Sequence, residues 1–382
     1  MRLLSVSSSK YIIVGLILIA TVFACSKSEV NLTETNKNET DRKALLTNLS
    51  DNIIVPAYAD FKTQFDNMLA KSDAFTATPN TANLIAFRAS WRVAYINWQK
   101  VEMFDFGPGQ TYAIRAHFNI YPTNVSTIAN NIAAGNTNLE VPASYAAQGF
   151  PAIDYLINGI GNSDAEIVAE YTSATDATKK INYLKRITNQ MNTVFNQVYT
   201  AWKGDFATTF KSKTAIDAGS STSTLINGYI LNFERYIRSG KIGIPAGSMT
   251  PGTNFPQKVE AFYTKDLALT LAKTAQTATY NFFLGKSYQN QTAGYSIKNY
   301  LDALNVKDAT SGKLLSEIVT QQFDVIDVQL NGLQNNLYSE VINNNQKMIN
   351  TYTEMQKLVR LLKVDMTSAM SITISYTDND GD

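Results

Sequence analysis

The chain has 382 residues, 45% of them hydrophobic and only 17% charged, with a formal net charge of +1. A balance this close to neutral creates no long-range pull on polyanions, which excludes nucleic acid as a partner. One cysteine, Cys25, and one histidine, His117, exclude a disulfide scaffold, thiolate metal centres and hydrolase zinc sites that need paired imidazoles.

Residues 1–24 read as an export signal. Arg2 and Lys10 form a basic start, Tyr11 to Phe23 an apolar run too short to span a bilayer, and Ala24 a small residue at the cleavage point. Cys25 follows directly, in the order of a bacterial lipobox, so it is expected to carry the lipid that attaches the mature chain to the membrane. Ser26 stands where an Asp would signal retention at the inner membrane, which points to the outer membrane. Residues 25–42 are polar, almost free of large apolar side chains, and are expected to form a flexible tether.

Beyond this, apolar residues recur at helical spacing. Leu45, Leu49, Ile53, Ala57, Phe61, Phe65 and Leu69 step by four, with Pro56 expected to kink the helix. Leu84, Phe87, Trp91, Ala94, Trp98, Val101 and Phe104 mark a second helix that stops at Gly107-Pro108-Gly109. The same spacing runs from Ile181 to Trp202 and from Leu225 through Tyr229 and Phe233 to Ile237. Helices are further expected over 255–280, with Pro256 in the first turn, and over 295–304, 314–337 and 339–363. Only Ile372, Ile374 and Tyr376 alternate with the period of a strand. The turn formers of 203–224 suggest a boundary near Ala218. The expected architecture is therefore all-α: two packed bundles of four-helix type, over 43–217 and 218–382, with a short strand-like tail.

Chemistry-bearing residues are few. His117 has no Gly-x-Ser-x-Gly elbow to serve and reads as a surface or helix-capping imidazole. Three segments carry acids or cations beside glycines and aromatics: Trp98 to Pro108 with Glu102, Gln148 to Leu156 with Gly149 and Asp154, and Phe233 to Pro245 with Arg238 and Lys241. The closing Asp378, Asp380 and Asp382 lack the spacing of a calcium loop and read as a frayed acidic end.

Taken together, these segments resemble the imelysin family of bacterial envelope proteins, also classed among the metallopeptidases. The resemblance rests on FDFGP at 104–108 behind Glu102, GFPAIDYL at 149–156 against the family's Gly-x-His-x-x-Glu hallmark, KIGIPAG at 241–247 and the closing MSITISYTDNDGD. It implies a helical pair of bundles with a site between them and a role in iron uptake or, by older labelling, in peptide cleavage. Pro151 stands where the hallmark histidine would be, and Asp154 replaces its glutamate. The chain is thus expected to be a binding lipoprotein associated with iron or haem uptake, meeting envelope iron-transport components, rather than an enzyme. Glu102, Gly149, Asp154, Arg238 and Lys241 would line its cleft, and Glu102 and Asp154 would offer oxygens to a hard cation such as iron. A metal-dependent peptidase is the alternative. A helical scaffold or glycan-binding surface is the third reading, favoured if aromatic side chains such as Trp91 and Trp98 are exposed.

Overall fold

The computed structural model describes residues 32–135, 138–250, 252–308 and 310–377. The expected signal segment, Cys25 and the acidic end at Asp378, Asp380 and Asp382 lie outside the described residues. Helices carry the fold. Among the described residues, strand-type pairing is limited to two isolated bridges, Lys286 to Ala293 and Lys307 to Leu314. No described helix is long and apolar enough to cross a membrane.

The chain divides into a unit of residues 1–40 and a second unit of residues 41–382. Helix α1 (Leu32–Asn48) begins within the segment expected to be a tether, so residues 32–42 are helical rather than coil. Once the apolar turns from Leu45 on have nucleated the helix, each added residue gains one hydrogen bond, and even a polar extension can propagate. A wide π-type turn, Leu49–Ile54, leads into α2 (Val55–Ala77). Pro56 sits in the first turn of α2, directly after that widened turn, which takes up its missing N–H.

In the first half, α2 packs on α3 (Thr81–Trp98) and on the long helix α8 (Ala177–Lys203). Between α3 and α8 lie shorter helices, among them α4 (Ile114–Phe118), α5 (Val125–Ala134), α6 (Gly149–Asp154) and α7 (Asp164–Thr172). The predicted stripes of α2, α3 and α8 face inward and interlock aromatics, with Trp98 stacked on Phe118 at 4.7 Å and Phe61 edge-on to Phe195 at 4.9 Å. Trp91 and Trp98 are both buried, so they offer no exposed platform of the kind a glycan-binding surface needs.

Part of the expected linker is itself a helix, α9 (Asp205–Ser212), whose Phe210 packs on Trp202. The irregular residues 213–220, where a boundary near Ala218 is expected, run inside the second unit. Helix α10 (Ser221–Leu231) then continues as a twelve-residue π-helical segment, Asn232–Gly243, whose closing amide, that of Ile244, bonds back to the Ser239 carbonyl. It packs with α11 (Ala268–Phe283) and α14 (Leu337–Arg360), and α13 (Leu315–Asn331) packs on both of these helices. Helix α12 (Ile297–Leu304) lies against α13. The two halves share a core, since Phe104 meets Phe282 with ring centres 5.6 Å apart.

Polar residues placed just before the helices explain where several begin. Asn80, Asn124, Ser163, Ser220, Ser296 and Asn336 each accept a hydrogen bond from a first-turn amide, contributing about 1 kcal/mol apiece.

Two further expectations need correction. The helix predicted over 255–280 starts only at Ala268. It is preceded by a single tight turn at Pro256–Lys258 and an irregular stretch in which Ala261 and Lys265 adopt positive φ. The tail alternates as predicted but finds no strand to pair with. It lies extended against α10 and its π extension, where Asn227 bonds Thr373 O and the Ser375 amide, and Tyr376 reaches Glu234.

Gly149, which the motif suggests as a ligand contact, is a packing device. Its φ is +76°, and a Cβ there would sit 2.4 Å from the Phe118 carbonyl oxygen. Gly135, at φ +78°, has nothing within 4 Å of the same position. Gly135→Ala is expected to cost about 1 kcal/mol of conformational strain and Gly149→Ala at least about 1 kcal/mol more from overlap. Urea unfolding of the two variants measures the difference.

Candidate functional site

At the meeting point of the two halves, four segments bring charged and amide side chains into one buried network. The tight turn Glu102–Phe104 supplies Glu102, helix α4 supplies Arg115 and, at its end, Asn119, the π segment supplies Lys241, and the irregular stretch after Lys258 supplies Glu260. Lys241 Nζ lies 2.7 Å from Glu260 Oε2 and 3.3 Å from Glu102 Oε1, and it donates to Gln99. Arg115 sits 3.4 Å from the other oxygen of Glu102 and donates to the Glu102 carbonyl at 2.9 Å and to Asn232 at 2.7 Å. Its guanidinium lies 3.5 Å above the Tyr236 ring. Asn119 donates to both acids, at 3.2 Å to Glu102 and 2.9 Å to Glu260, and accepts from the Tyr95 hydroxyl at 2.6 Å.

Two acids thus face two cations, and all four side chains are buried. Burial alone would raise the Glu102 pKa, but Lys241 and Arg115 outweigh it and hold the carboxyl below its ordinary value. Burial would lower the Arg115 pKa, and Glu102 reverses that as well. Asp105 lies 3.4 Å from Arg115 Nε, yet burial wins there and its pKa is raised. Burial, reinforced by Glu260, lifts Tyr95 and Tyr121 well above the usual phenol range, so both stay neutral hydroxyls.

Asp154 ends α6, with Pro151 in the first turn of that helix. Its Oδ1 accepts from Asn158 at 2.9 Å and its Oδ2 from the Tyr263 amide at 2.9 Å. It therefore latches the irregular stretch that carries Glu260. Burial pushes its pKa up to about 6, against the lowering effect of the donors from Asn158, Tyr263 and Thr264. Asp154 also walls a pocket of about 210 Å³ together with Tyr121, Pro151, Gln257, Phe262 and Tyr263. Pro151, whose side chain has no donor or acceptor, is part of that wall.

The expected site residues do not share one surface. Glu102 and Lys241 meet in the network, and Asp154 has its own partners. Arg238, expected to form an edge with Lys241, turns away. In an α-helix residues three apart are neighbours, but the wider turn of the π segment directs Arg238 to Gln356, Ser239 and the ring of Tyr352. Its neighbour in the same segment, Glu234, pairs with Lys363 at 2.9 Å. His117 is buried rather than at the surface, with Nδ1 3.1 Å from Gln148 Oε1 and its ring edge-on to Tyr145. Burial lowers its pKa.

The donor set argues against a metal ion held directly by Glu102 and Asp154. Each Glu102 oxygen faces a cation that a metal would have to displace, and the Asp154 oxygens already accept from the protein. Among the described residues, no group of three or more His, Cys, Asp or Glu side chains is arranged to hold a metal ion.

Sequence reasoning missed Arg115, Asn119, Glu260 and Tyr121. The available sign was Glu260 itself, a lone acid in the run Val259-Glu260-Ala261-Phe262-Tyr263, where an apolar setting leaves a charge needing a buried partner.

A larger cleft of about 860 Å³ opens between the halves. Ile53, Pro56 and Phe104 border it from the first half, and Lys273, Phe282 and Tyr288 from the second. Glu102 does not line this cleft, although its neighbour Met103 does.

Comparison with known proteins agrees with this architecture. The Imelysin family model matches residues 54–364. Iron-regulated protein A of Synechococcus elongatus is 23% identical over 280 residues, covering 72% of this chain and 71% of that protein. The crystal structure of a chain named as an iron-regulated protein A precursor, from Parabacteroides distasonis, superposes with a TM-score of 0.69 at 18% identity, covering 87% of this chain and 95% of that one. An imelysin-like protein from Psychrobacter arcticum superposes with a TM-score of 0.65 at 17% identity, covering 88% and 98%. At these identities the two structures establish a shared fold.

The raised pKa of Asp154 has a pH signature. Between its ordinary value of 3.8 and about 6, the folded chain holds a proton that the unfolded chain has released, so this group's contribution to stability falls as pH rises through that window. The full cost above the window is about 3 kcal/mol. Glu102 has the opposite sign: its contribution is present above its ordinary pKa of 4.5 and is lost as pH falls through the lowered folded value. Urea unfolding across the range is expected to show Asp154→Asn gaining on the parent chain as pH rises from about 4 to about 6, and a constant difference above that.

Proposed function

The chain belongs to the imelysin family, and from that premise we propose that it is a binding protein of the bacterial envelope with an iron-linked role. It is held to the membrane by lipid on Cys25 and takes its ligand in the pocket walled by Asp154 and Tyr121. The observation that carries this reading is the placement of Asp154. The acid of the family-like segment is buried at the wall of a pocket of about 210 Å³, beside two tyrosines, with the charge network behind it. The iron link is supported by the name of the Synechococcus relative, iron-regulated protein A.

The pocket lies below the size range of about 300–1,000 Å³ that houses drug-sized ligands. It suits a small oxygen-rich species and is too small for haem. Because the Asp154 oxygens already accept from the protein and Glu102 is paired with two cations, the iron species best matched to it brings its own donors, as a small hydroxycarboxylate chelate does. Peptide hydrolysis has little support in the side chains: Pro151 has no lone pair to offer, Glu102 is neutralised by Lys241 and Arg115, and His117 is engaged with Gln148.

Calorimetric titration of the full chain with ferric citrate, and with citrate alone, tests the pocket. Ferric citrate is expected to bind, and Asp154→Asn to weaken it by about 1–2 kcal/mol by weakening the acceptor that holds the Tyr263 amide and so shapes the pocket wall. Absence of binding, or an unchanged affinity in the variant, would refute the assignment. Peptide cleavage abolished by Glu102→Gln would establish the peptidase instead.

The anchor is tested separately in cells. Labelled palmitate is expected to enter the full chain and the protein to sediment with membranes, and Cys25→Ala is expected to lose both. Retention of label by the variant would overturn the anchor.

A further inference from the structure

We propose that the cleft of about 860 Å³ between the halves is a second binding site, for an amphipathic organic anion with two carboxylate-type groups on an apolar body. Its volume falls inside the range of pockets that enclose small organic ligands. It shares no lining residue with the pocket at Asp154, so it stands independently of the function proposed there.

The lining is of two kinds. Ile53, Pro56, Met103, Phe104 and Phe282 give it an apolar floor, continuous with the shared core where Phe104 meets Phe282. Around that floor stand three ammonium groups, those of Lys100, Lys273 and Lys286, against a single carboxylate, that of Asp60.

The carboxylate is already committed. Asp60 accepts from the Tyr288 hydroxyl and lies 3.9 Å from Lys100, whose ammonium also donates to Asn97 at 2.8 Å. This leaves Lys273 and Lys286. Both are half-buried, and neither has a carboxylate within ion-pair distance among the described residues.

Partly desolvated ammonium groups without a counter-charge are costly, and a pair of them beside an apolar surface is the complement of an anion that also has carbon to bury. The amides of Asn281 and Gln289, which also line the cleft, add hydrogen-bond donors for carboxylate oxygens. The two cations come from different elements, Lys273 from the middle of α11 and Lys286 from just beyond its end, so one anionic group on the ligand would meet each.

The probe is naphthalene-2,6-dicarboxylate, compared by calorimetry on the full chain with naphthalene-2,6-dimethanol, which keeps the shape and lacks the charges. The dicarboxylate is expected to bind and the diol to bind at least tenfold more weakly. Lys273→Gln together with Lys286→Gln should weaken the dicarboxylate at least tenfold, while Lys185→Gln, an exposed lysine on α8, and Asp154→Asn should leave it unchanged. Melting temperatures of all variants check that the fold is retained, and each single lysine variant replaces the double one if that fails to fold. The proposal is overturned if the dicarboxylate does not bind, if the diol binds as tightly, or if the lysine variants keep the parent affinity.

Discussion

Two acids and two cations locked away from water impose the central constraint on this molecule. Stranding any one of Glu102, Glu260, Arg115 or Lys241 would leave a buried charge unpaired, at a cost of about 3–5 kcal/mol. The turn after α3, the short helix α4, the π segment and the irregular stretch before α11 therefore arrive together or not at all. The same constraint explains why residues 259–264 are irregular where the sequence reads as helix. A helix there would carry Glu260 along its own axis, whereas the observed turn, latched by Asp154, lets the carboxylate reach Lys241 and Asn119.

The helices were legible because a buried stripe must recur every three or four residues. The positions from Leu45 to Phe65, from Leu84 to Phe104 and from Leu184 to Trp202 are buried as that spacing requires. What the spacing does not encode is which charges meet. Glu102 and Lys241 stood out through their unusual local setting and do share a site, yet nothing near either residue names the other. The π segment left a fainter trace: its inward side chains run Phe233, Ile237, Ile242, and the step lengthens from four to five. Read as an ordinary helix, the segment places Arg238 beside Lys241; read with the longer step, it sends them to different neighbours. Gly149 and Asp154 were recognisable as a motif, but their roles, a close backbone approach and a loop latch, depend on Phe118 and Tyr263, which the motif does not contain.

The molecule keeps two kinds of charge in two kinds of place. Deep inside, opposite charges are matched nearly one for one, and the network is rigid because each side chain has several partners. At the cleft between the halves the matching stops, and positive groups outnumber negative ones around an apolar floor. A chain with a formal net charge of +1 thus separates its charges locally, and the imbalance lies where a solute can reach it.

The way the chain's end is fastened bears on the order of events during synthesis. Glu234 is buried, and two of its partners, Lys363 and the Tyr376 hydroxyl, lie 129 and 142 residues further along. During synthesis this carboxylate has neither of them until residues 363 and 376 have been added. The first half, whose helices pack mainly on one another, can settle earlier.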